Sequence, residues 1–514
     1  MDLHELIHGL PVDAVRVPAG CRVGDLTEDS RTVQPGTLFV ARPGRLSDGR
    51  GYIDRVIADG ASAVLTDAET ALRIPSSAAA VLAADDVPLA TALLAERFFG
   101  SPSSQLRTAG ITGTNGKTTV AHLAHGLLNA SGIRCGLVGT VSIDDGREVA
   151  DAGMTTLPAI ELSRTLATMV EHGCRCAVME VSSHALDQQR TAAIGFDAAV
   201  FTTLGSDHLD YHGTIDRYAA AKARLFEGLG PESLAIVNAD DPACERMLRG
   251  CESRVLRCGD RQAARADVGE QRVGGIAARY SGPFGVIEAS LPLAGDHNAA
   301  NMLQAMCIAH AFGATAEQIA AASRHPTPPP GRLERVSTLQ DDLTVFVDFA
   351  HTPDALEHTL GSLGRAIGDR SDRPQLWVVF GCGGDRDTAK RPVMGETAAR
   401  LADRVVVTSD NPRSEDPDDI IEQVIAGMPA LARQEAVAQA ERETAIDSAI
   451  SLASPGDIIV IAGKGHERTQ ISADGSGGLR SRPFDDREHA KRSLAARAST
   501  TSGAGAAAPS GARV

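Results

Sequence analysis

Repeated strand–loop–helix units, apolar strands without clean alternation, and polar residues crowded behind each strand predict an α/β protein of parallel sheets covered by helices. A strand with helices on both faces reads as an unbroken apolar run, because neither side of its pleat meets water. At 514 residues the chain exceeds one typical core, and two to four domains are expected. Two breaks mark the boundaries. Phe98 to Ser104 reads as a linker and places the first near residue 104, and the stiff proline hinge from His325 to Gly331 places the second near 330. The domains expected are therefore 1–104, 105–330 and 331–494. A tail, 495–514, is rich in Ala, Ser, Gly and Thr and reads as disordered.

In the first domain, Pro35-Gly36 is a turn signal before a strand from Thr37 to Ala41. Tyr52 to Ala58 has helical spacing, and Ala63 to Thr66 reads as the next strand. The middle domain offers strands at Thr108 to Thr112, Ala177 to Val181, Ala198 to Thr202 and Leu234 to Asn238. Residues 251 to 292 have denser turns and read as extra strands. The last domain offers Leu343 to Phe349, Leu376 to Phe380, Arg404 to Thr408 and Asp457 to Ile461, each running straight into a polar loop. No repeat of solenoid period is present.

Composition excludes several functions. A formal net charge of −16 argues against a nucleic-acid partner, which needs a basic surface. Nine cysteines form no metal-type spacing, since Cys174 and Cys176 are two apart and no C-x-x-C exists, so reduced, buried thiols are expected. Asp2 and Glu5 interrupt the apolar start, and no apolar run approaches membrane-spanning length. A cytoplasmic protein without a membrane partner is expected.

The chemistry begins at Gly113-Thr114-Asn115-Gly116-Lys117-Thr118-Thr119. Glycines free backbone N–H groups to cradle phosphate oxygens, a helix start adds a favourable dipole, Lys117 suits the β/γ-phosphates and Thr118 suits Mg²⁺. The common pattern wants glycine five positions before Gly116, where Ile111 stands, and offers Gly113 three before it instead. The stretch is a tighter-spaced phosphate loop or an ordinary glycine-rich turn.

In open parallel sheets ligands bind beyond the carboxyl ends of the strands. Those ends carry the phosphate loop, then Glu180 to His184, then Asp207 to Asp210 in the middle domain. In the last domain they carry Asp348 to Asp354, Gly381 to Asp387, Asp410 to Arg413 and Gly463 to Glu467. Seven ends loaded with carboxylates, imidazoles, glycines or cations favour two site-bearing edges over plain turns. Glu180, one strand from the loop, suits a Mg²⁺ ligand or a helix cap. His208, between two aspartates, suits a metal, a proton or a loop hydrogen bond. Lys222, read alone in the helical Tyr218 to Phe226, is a solvated lysine.

Taken together, these motifs resemble those of the Mur ligases of peptidoglycan synthesis. The resemblance rests on Thr112 to Thr119, Glu180 to Leu186, Asp207 to Gly213, the Lys222 helix, His297 to Asn301, Pro330 to Glu334 and Asp348 to Asp354, in family order. It implies a small N-terminal α/β domain binding a UDP-sugar, a central ATPase-type domain, and a Rossmann-like C-terminal domain binding an amino acid. It also implies ATP-driven amide formation through an acyl phosphate, with ATP and Mg²⁺ as cofactors. The implied substrates are UDP-N-acetylmuramoyl-L-alanyl-D-glutamate and meso-2,6-diaminopimelate, handled by a monomer.

By that resemblance, Gly113, Thr114, Asn115, Gly116, Lys117, Thr118 and Thr119 hold the ATP phosphates, and Asn301 and Arg332 make the remaining ATP contacts. Thr118, Glu180, His208 and Lys222 resemble the Mg²⁺ ligands, Lys222 as a carbamate. Lys117, Glu180, His208 and Lys222 are the catalytic set. Ser30 resembles the uridine contact, and Thr155, Thr156, Ser182, Gln188 and Arg190 the muramoyl-dipeptide contacts. His351 and Asp354 are expected at the cleft between domains. Arg386, Asp410, Asn411, Pro412, Arg413, Gly463 and Glu467 resemble the amino-acid site. Its Asn-Pro-Arg form accompanies diaminopimelate, since Arg413 can bind the carboxylate that lysine lacks. Met154, Thr203, Gly205, Ser206, Thr388 and Ala389 depart from the usual family pattern. The alternatives are a Mur-type ligase adding another amino acid such as L-lysine, a folylpolyglutamate synthase-like ligase, or a nucleotide-controlled binding module.

Overall fold

The computed structural model describes residues 1–44, 47–75, 79–368 and 373–505. The first sheet has five strands in the order Asp13–Arg16, Ala80–Ala83, Ala63–Thr66, Thr37–Val40, Asp25–Thr27, all parallel except the first. Strands Thr37–Val40, Ala63–Thr66 and Ala80–Ala83 are buried at every position, which is why all their residues but Thr37 and Thr66 are apolar.

The second sheet has eight strands in the order Arg254–Cys258, Leu234–Asn238, Ala198–Phe201, Arg107–Thr112, Cys176–Glu180, Cys135–Val138, Ser142–Asp144, Val149–Asp151. The first six are parallel and the last two return antiparallel. Arg107–Thr112 lies between strands that come later in the chain on both sides, so its carboxyl end opens at a topological switch point, where a crevice forms. Register carries the site residues to that crevice: Glu180 pairs with Ile111, and Phe201 with Thr112. The helix Asp296–Ala311 is buried almost all round and packs on the phosphate-loop helix Lys117–Ala130. The turn-rich stretch after residue 251 forms a separate three-stranded antiparallel sheet, Arg265–Arg272, Gly275–Gly282 and Gly285–Leu291.

The fourth sheet runs Glu334–Arg335, Thr344–Asp348, Ile458–Ala462, Leu376–Phe380, Arg404–Val407, Val437–Ala438, parallel except for the first pairing. Ile458–Ala462 inserts in parallel between Thr344–Asp348 and Leu376–Phe380, so the loops after Asp348, Phe380, Val407 and Ala462 share one edge. A hairpin absent from the sequence reading, Thr469–Ala473 with Leu479–Pro483, follows.

The expected disordered tail is corrected in part. The helix Asp486–Gly505 continues through residues 495–505, where Ala495, Ala496 and Ala498 are strong helix formers, and residues 506–514 lie outside the described residues. This helix is tied down at its start by Asp486, wholly buried against the wholly buried Arg442 at 2.6 Å. Removing one partner would strand a charge and cost about 3–5 kcal/mol. All nine cysteines are free thiols, seven of them buried. Among the described residues no helix is long and apolar enough to cross a membrane.

Candidate active site

The phosphate loop is a phosphate-type turn by its backbone. Gly113 has φ 148° and Gly116 φ 89°, values that side-chain-bearing residues rarely adopt. A Cβ on Gly116 would also stand 2.7 Å from Asn301 Oδ1. The helix Lys117–Ala130 that follows has no side chain capping its start, so its first amides remain for a ligand. Lys117 Nζ folds back to the carbonyls of Gly113 and Thr114, both at 2.9 Å, which holds a cation over the loop. Burial pushes the Lys117 ammonium toward neutrality, and Glu180 and Asp207 oppose that. The divergent residues at the neighbouring strand end brace this loop: Thr114 N donates to Thr203 O at 2.7 Å, and Gly205 N to Thr114 Oγ1 at 2.9 Å.

Glu180 is fully buried and does not cap the next helix, since Ser182 does that by accepting from Ala185 N at 3.2 Å. Its carboxylate instead accepts from Thr118 Oγ1 at 2.8 Å, Thr140 N at 2.7 Å and Thr140 Oγ1 at 3.0 Å. Thr140 was invisible to the sequence reading because it lies in a loop without a motif. Arg332, from beyond the proline hinge, donates Nη2 to Thr118 Oγ1 at 3.2 Å and stacks on Phe349 at 4.5 Å. Its Nε is buried without a partner. A cavity between the two large sheets is lined by Asn115, Gly116, Asn298, Asn301, Arg332 and His358 among others. An orphaned guanidinium N–H, several asparagines and an uncapped helix start suit a nucleoside polyphosphate there.

The reading of Lys222 as solvated is overturned. Its side chain is 1% exposed, its Nζ donates to Gly113 O at 2.7 Å, and it lies 4.4 Å over the Tyr218 ring. Burial first, then Lys117, pushes its ammonium well below the usual lysine range. The helix Ile215–Glu227 explains why: Tyr218, Lys222 and Phe226 fall four apart on the face turned inward. That spacing was the signal available in the sequence. His208 is half-exposed with φ 54°, its Nε2 3.4 Å from Asp207 Oδ2 and its ring 6.3 Å from Tyr218. His184 packs against it at 4.7 Å between ring centres.

Of the residues expected at the dipeptide site, Arg190 bonds Thr156 and Gln188. Its Nη1 donates to Thr156 O at 2.7 Å and to Met154 Sδ at 3.3 Å, and its Nε and Nη2 to Gln188 Oε1 at 3.1 and 2.8 Å. Thr156 is buried, and its hydroxyl donates to Glu180 O at 2.8 Å. The Thr155 and Thr140 hydroxyl oxygens are 3.1 Å apart, with Thr155 free to donate because the Thr140 proton goes to Glu180. From the first sheet, Glu28 and Arg42 act electrostatically on Arg190, two neighbours the sequence did not reveal. Ser30 is half-buried two residues from Glu28.

At the far edge, Arg413 has φ 54° and donates Nη1 to Gly384 O at 2.7 Å. Burial and the adjacent Arg386 weaken its hold on a proton, and Asp410 and Glu467 strengthen it. Gly463, at φ 113°, leaves room for Asp410, whose Oδ2 would meet a Cβ at 2.6 Å. Asn411 is held in place: Nδ2 donates to Glu467 Oε2 at 2.9 Å, and Oδ1 accepts from Lys464 Nζ at 3.2 Å and Ile471 N at 3.0 Å. Pro412 accepts Glu415 N at 3.1 Å and shapes the turn. Glu467 already holds the fully buried Lys464 at 2.8 Å. Of the cleft residues, Asp354 lies against Gly205 of the middle sheet, while His351 O accepts from Lys390 Nζ at 2.8 Å.

An uncapped, glycine-built anion loop on one sheet, joined through Arg332 to a second sheet whose edge carries paired guanidiniums, defines an ATP-dependent amide-forming ligase. The comparisons with known proteins narrow that class. The sequence matches the Mur ligase middle domain over residues 111–309, the Mur ligase glutamate ligase domain over 331–465 and the Mur ligase family catalytic domain over 23–98. It is 41% identical to UDP-N-acetylmuramoyl-L-alanyl-D-glutamate–2,6-diaminopimelate ligase of Synechococcus elongatus, covering 97% of this chain and 100% of the relative. Identity is also 41% to the enzyme of that name from Gloeobacter violaceus, over 97% of this chain and 99% of the relative. A solved structure of a UDP-N-acetylmuramoyl-L-alanyl-D-glutamate–2,6-diaminopimelate ligase superposes with a TM-score of 0.67 at 30% identity, covering 97% and 99% of the two chains. The chain belongs to the Mur ligase family.

Proposed function

We propose that this ligase joins meso-2,6-diaminopimelate to the D-glutamyl γ-carboxylate of UDP-N-acetylmuramoyl-L-alanyl-D-glutamate, with ATP cleaved to ADP and phosphate. Residues 1–104 would take the UDP end, 105–330 the ATP and 331–494 the amino acid. The observation that carries the choice of amino acid is the Arg386–Arg413 neighbourhood, with Asp410 and Glu467 beside it. Two cations and two carboxylates match a group bearing both a carboxylate and an ammonium. Lysine would leave the guanidiniums unpaired, and sites built around such a contact reject ligands lacking it by about 10⁴-fold.

A carboxylate is a poor electrophile, so the reaction first needs its oxygen on the γ-phosphorus, with ADP leaving. The amine nitrogen of the second substrate then attacks the acyl carbon, and phosphate departs as the amine loses its proton. The chain's part is to bring anions together. Helix amides after Gly116, Lys117 and Arg332 supply positive charge at the phosphates, and Arg190 supplies it at the dipeptide. Asn301, held by Asn298 Oδ1 at 3.1 Å, would orient the nucleotide.

For Mg²⁺, the residues present fit. The Thr118 hydroxyl and Glu180 carboxylate are hard oxygen donors already 2.8 Å apart. Among the described residues no cluster of three or more His, Cys, Asp or Glu side chains is poised for a metal. Mg²⁺ does not require one, because water and phosphate oxygens complete its shell. Held by Thr118, Glu180, His208 and a carbamylated Lys222, Mg²⁺ would offset the charge of anions meeting. Burial favours the neutral amine of Lys222, the form that adds carbon dioxide to give a carbamate and a proton.

The test is phosphate release with the UDP-dipeptide and ATP against meso-diaminopimelate, L-lysine and L-ornithine. Diaminopimelate alone should support turnover, and equal rates with lysine would overturn the reading. Arg413→Ala should raise KM for diaminopimelate far more than KM for ATP; equal rises would remove Arg413 from the amino-acid site.

A further inference from the structure

Among the described residues, the two largest fully buried side chains are arginines, Arg391 and Arg442. Burying a guanidinium is expensive, and an apolar side chain of similar volume often serves the fold as well or better. What Arg391 touches is therefore informative. It lies in the first turn of the helix Lys390–Leu401 and is 0% exposed. Nη1 donates to Glu415 Oε2 at 2.8 Å and Gln423 Oε1 at 2.9 Å. Nη2 donates to Glu415 Oε1 at 2.8 Å and Gly383 O at 3.1 Å. Apart from Gln423, every partner belongs to the loop after Phe380 or the loop after Val407, which carry Arg386 and Arg413.

These two loops are interlocked and strained. Asp385 at φ 53° and Arg413 at φ 54° are two of the six non-glycine residues with positive φ among the described residues. Such backbones persist only where their surroundings over-determine them. Here the surroundings are a set of reciprocal bonds. Asp385 N donates to Glu415 Oε1 at 2.5 Å, Ser414 Oγ donates to Asp385 Oδ1 at 2.6 Å, and Gly384 N donates to Asn411 O at 3.0 Å. Arg413 Nη1 returns a bond to Gly384 O at 2.7 Å. Two guanidiniums held as neighbours repel each other, so the loops would part unless something holds them. The Arg391–Glu415 pair sits under both.

We propose that the Arg391–Glu415 ion pair is a positioning device for amino-acid selection, locking the Gly383–Arg386 and Asn411–Glu415 loops so that Arg386 and Arg413 converge on one carboxylate. Neither residue meets the substrate. Glu415 orients the loop of Arg386 through Asp385 N, and Arg391 fixes Glu415 with a two-pronged contact that a lysine cannot reproduce. The inference rests on the amino-acid selection proposed above.

Full-length Glu415→Gln and Arg391→Met are to be compared with wild type for KM of meso-diaminopimelate, ATP and UDP-dipeptide. The kcat/KM ratio of diaminopimelate over L-lysine and the thermal midpoint complete the comparison. Glu415 is partly exposed at a loop, so Glu415→Gln folds and reads the proposal even if Arg391→Met does not. The expected result is a rise of about tenfold or more in KM for diaminopimelate and a matching loss of preference over lysine, with the other two KM values within about twofold. Arg391→Lys should recover only part of the loss. A wild type without preference for diaminopimelate overturns the functional reading and this inference with it. A wild type with that preference, and a Glu415→Gln enzyme that keeps it, overturns this inference alone, as would equal rises in all three KM values.

Discussion

Glu180→Gln separates support of the fold from chemistry at one buried atom. The wild-type carboxylate is wholly buried and accepts three hydrogen bonds. Glutamine has the same shape. Its carbonyl can keep the bond from Thr140 N, the one donor that cannot reverse. Its amide then faces the hydroxyls of Thr118 and Thr140, and both can rotate to accept. The loss in stability is therefore about 1 kcal/mol, the exchange of charge-assisted for neutral bonds. Activity should respond differently, because an amide carries no charge to hold Mg²⁺ beside the phosphates. A fall in kcat/KM of about 100-fold or more is expected, equal to about 2.7 kcal/mol of transition-state stabilisation. The half-saturating Mg²⁺ concentration should rise as well. The assay is phosphate release under a magnesium titration, with denaturant unfolding of the same preparation. Activity within about threefold of wild type, at any magnesium level, would refute the ligand role, and a stability loss well beyond about 1 kcal/mol would refute the hydrogen-bond reasoning.

Other outcomes follow from the same geometry. Lys222→Ala should abolish turnover and regain part of it with added acetate or formate, which can occupy the vacated position beside Gly113 O; an active variant would remove the carbamate role. Gly116→Ala places a Cβ 2.7 Å from Asn301 Oδ1 on a backbone at φ 89°, so KM for ATP should rise by about tenfold or more while KM for diaminopimelate holds. Partly buried imidazoles set the acid limit of stability: His122 and His297 are pushed from 6.5 to about 4 and His466 to about 3, each chiefly by burial. The unfolded chain then binds more protons between those values and 6.5, so stability should be level above about pH 6.5 and fall steadily below it. Denaturant midpoints measured at about pH 7.5 and about pH 5 check this, and a midpoint that rises on acidification would refute it.

Much of the site was legible because the chemistry of a parallel sheet gathers at strand ends. Arg107–Thr112, Cys176–Glu180 and Ala198–Phe201 could each be found as apolar runs, and the residues just after them fell at one crevice through register alone. Several boundaries moved by one residue, although Val181, Thr202 and Thr408, just beyond the strand ends, are as buried as the strands themselves. Less was legible where long-range packing decides a side chain's partner. Thr156 donates to Glu180 O and Asn411 to Glu467, and Ser182 Oγ accepts from Ala185 N, pairings that no local pattern in the sequence names. Gln470, on the unexpected hairpin, braces Ser409 Oγ at 3.0 Å and Asp410 O at 2.8 Å, and its strand receives Arg413 N at Ile471 O.

The sequence by itself determined the α/β class, the positions of most of the long parallel strands, the phosphate loop with its tight glycine spacing, and the Asp410 to Arg413 motif. These are local properties: a left-handed glycine, an apolar run and a helix start are set by a few adjacent residues. Only the tertiary structure decided that Lys222 is buried against Gly113 O, that Arg332 crosses the hinge to reach Thr118, and that Arg391 holds two loops together through Glu415. Each of these joins residues from 24 to 214 positions apart. No local pattern encodes such a pairing, because a buried charge takes its partner from whatever the packed chain places within reach of its hydrogen bonds.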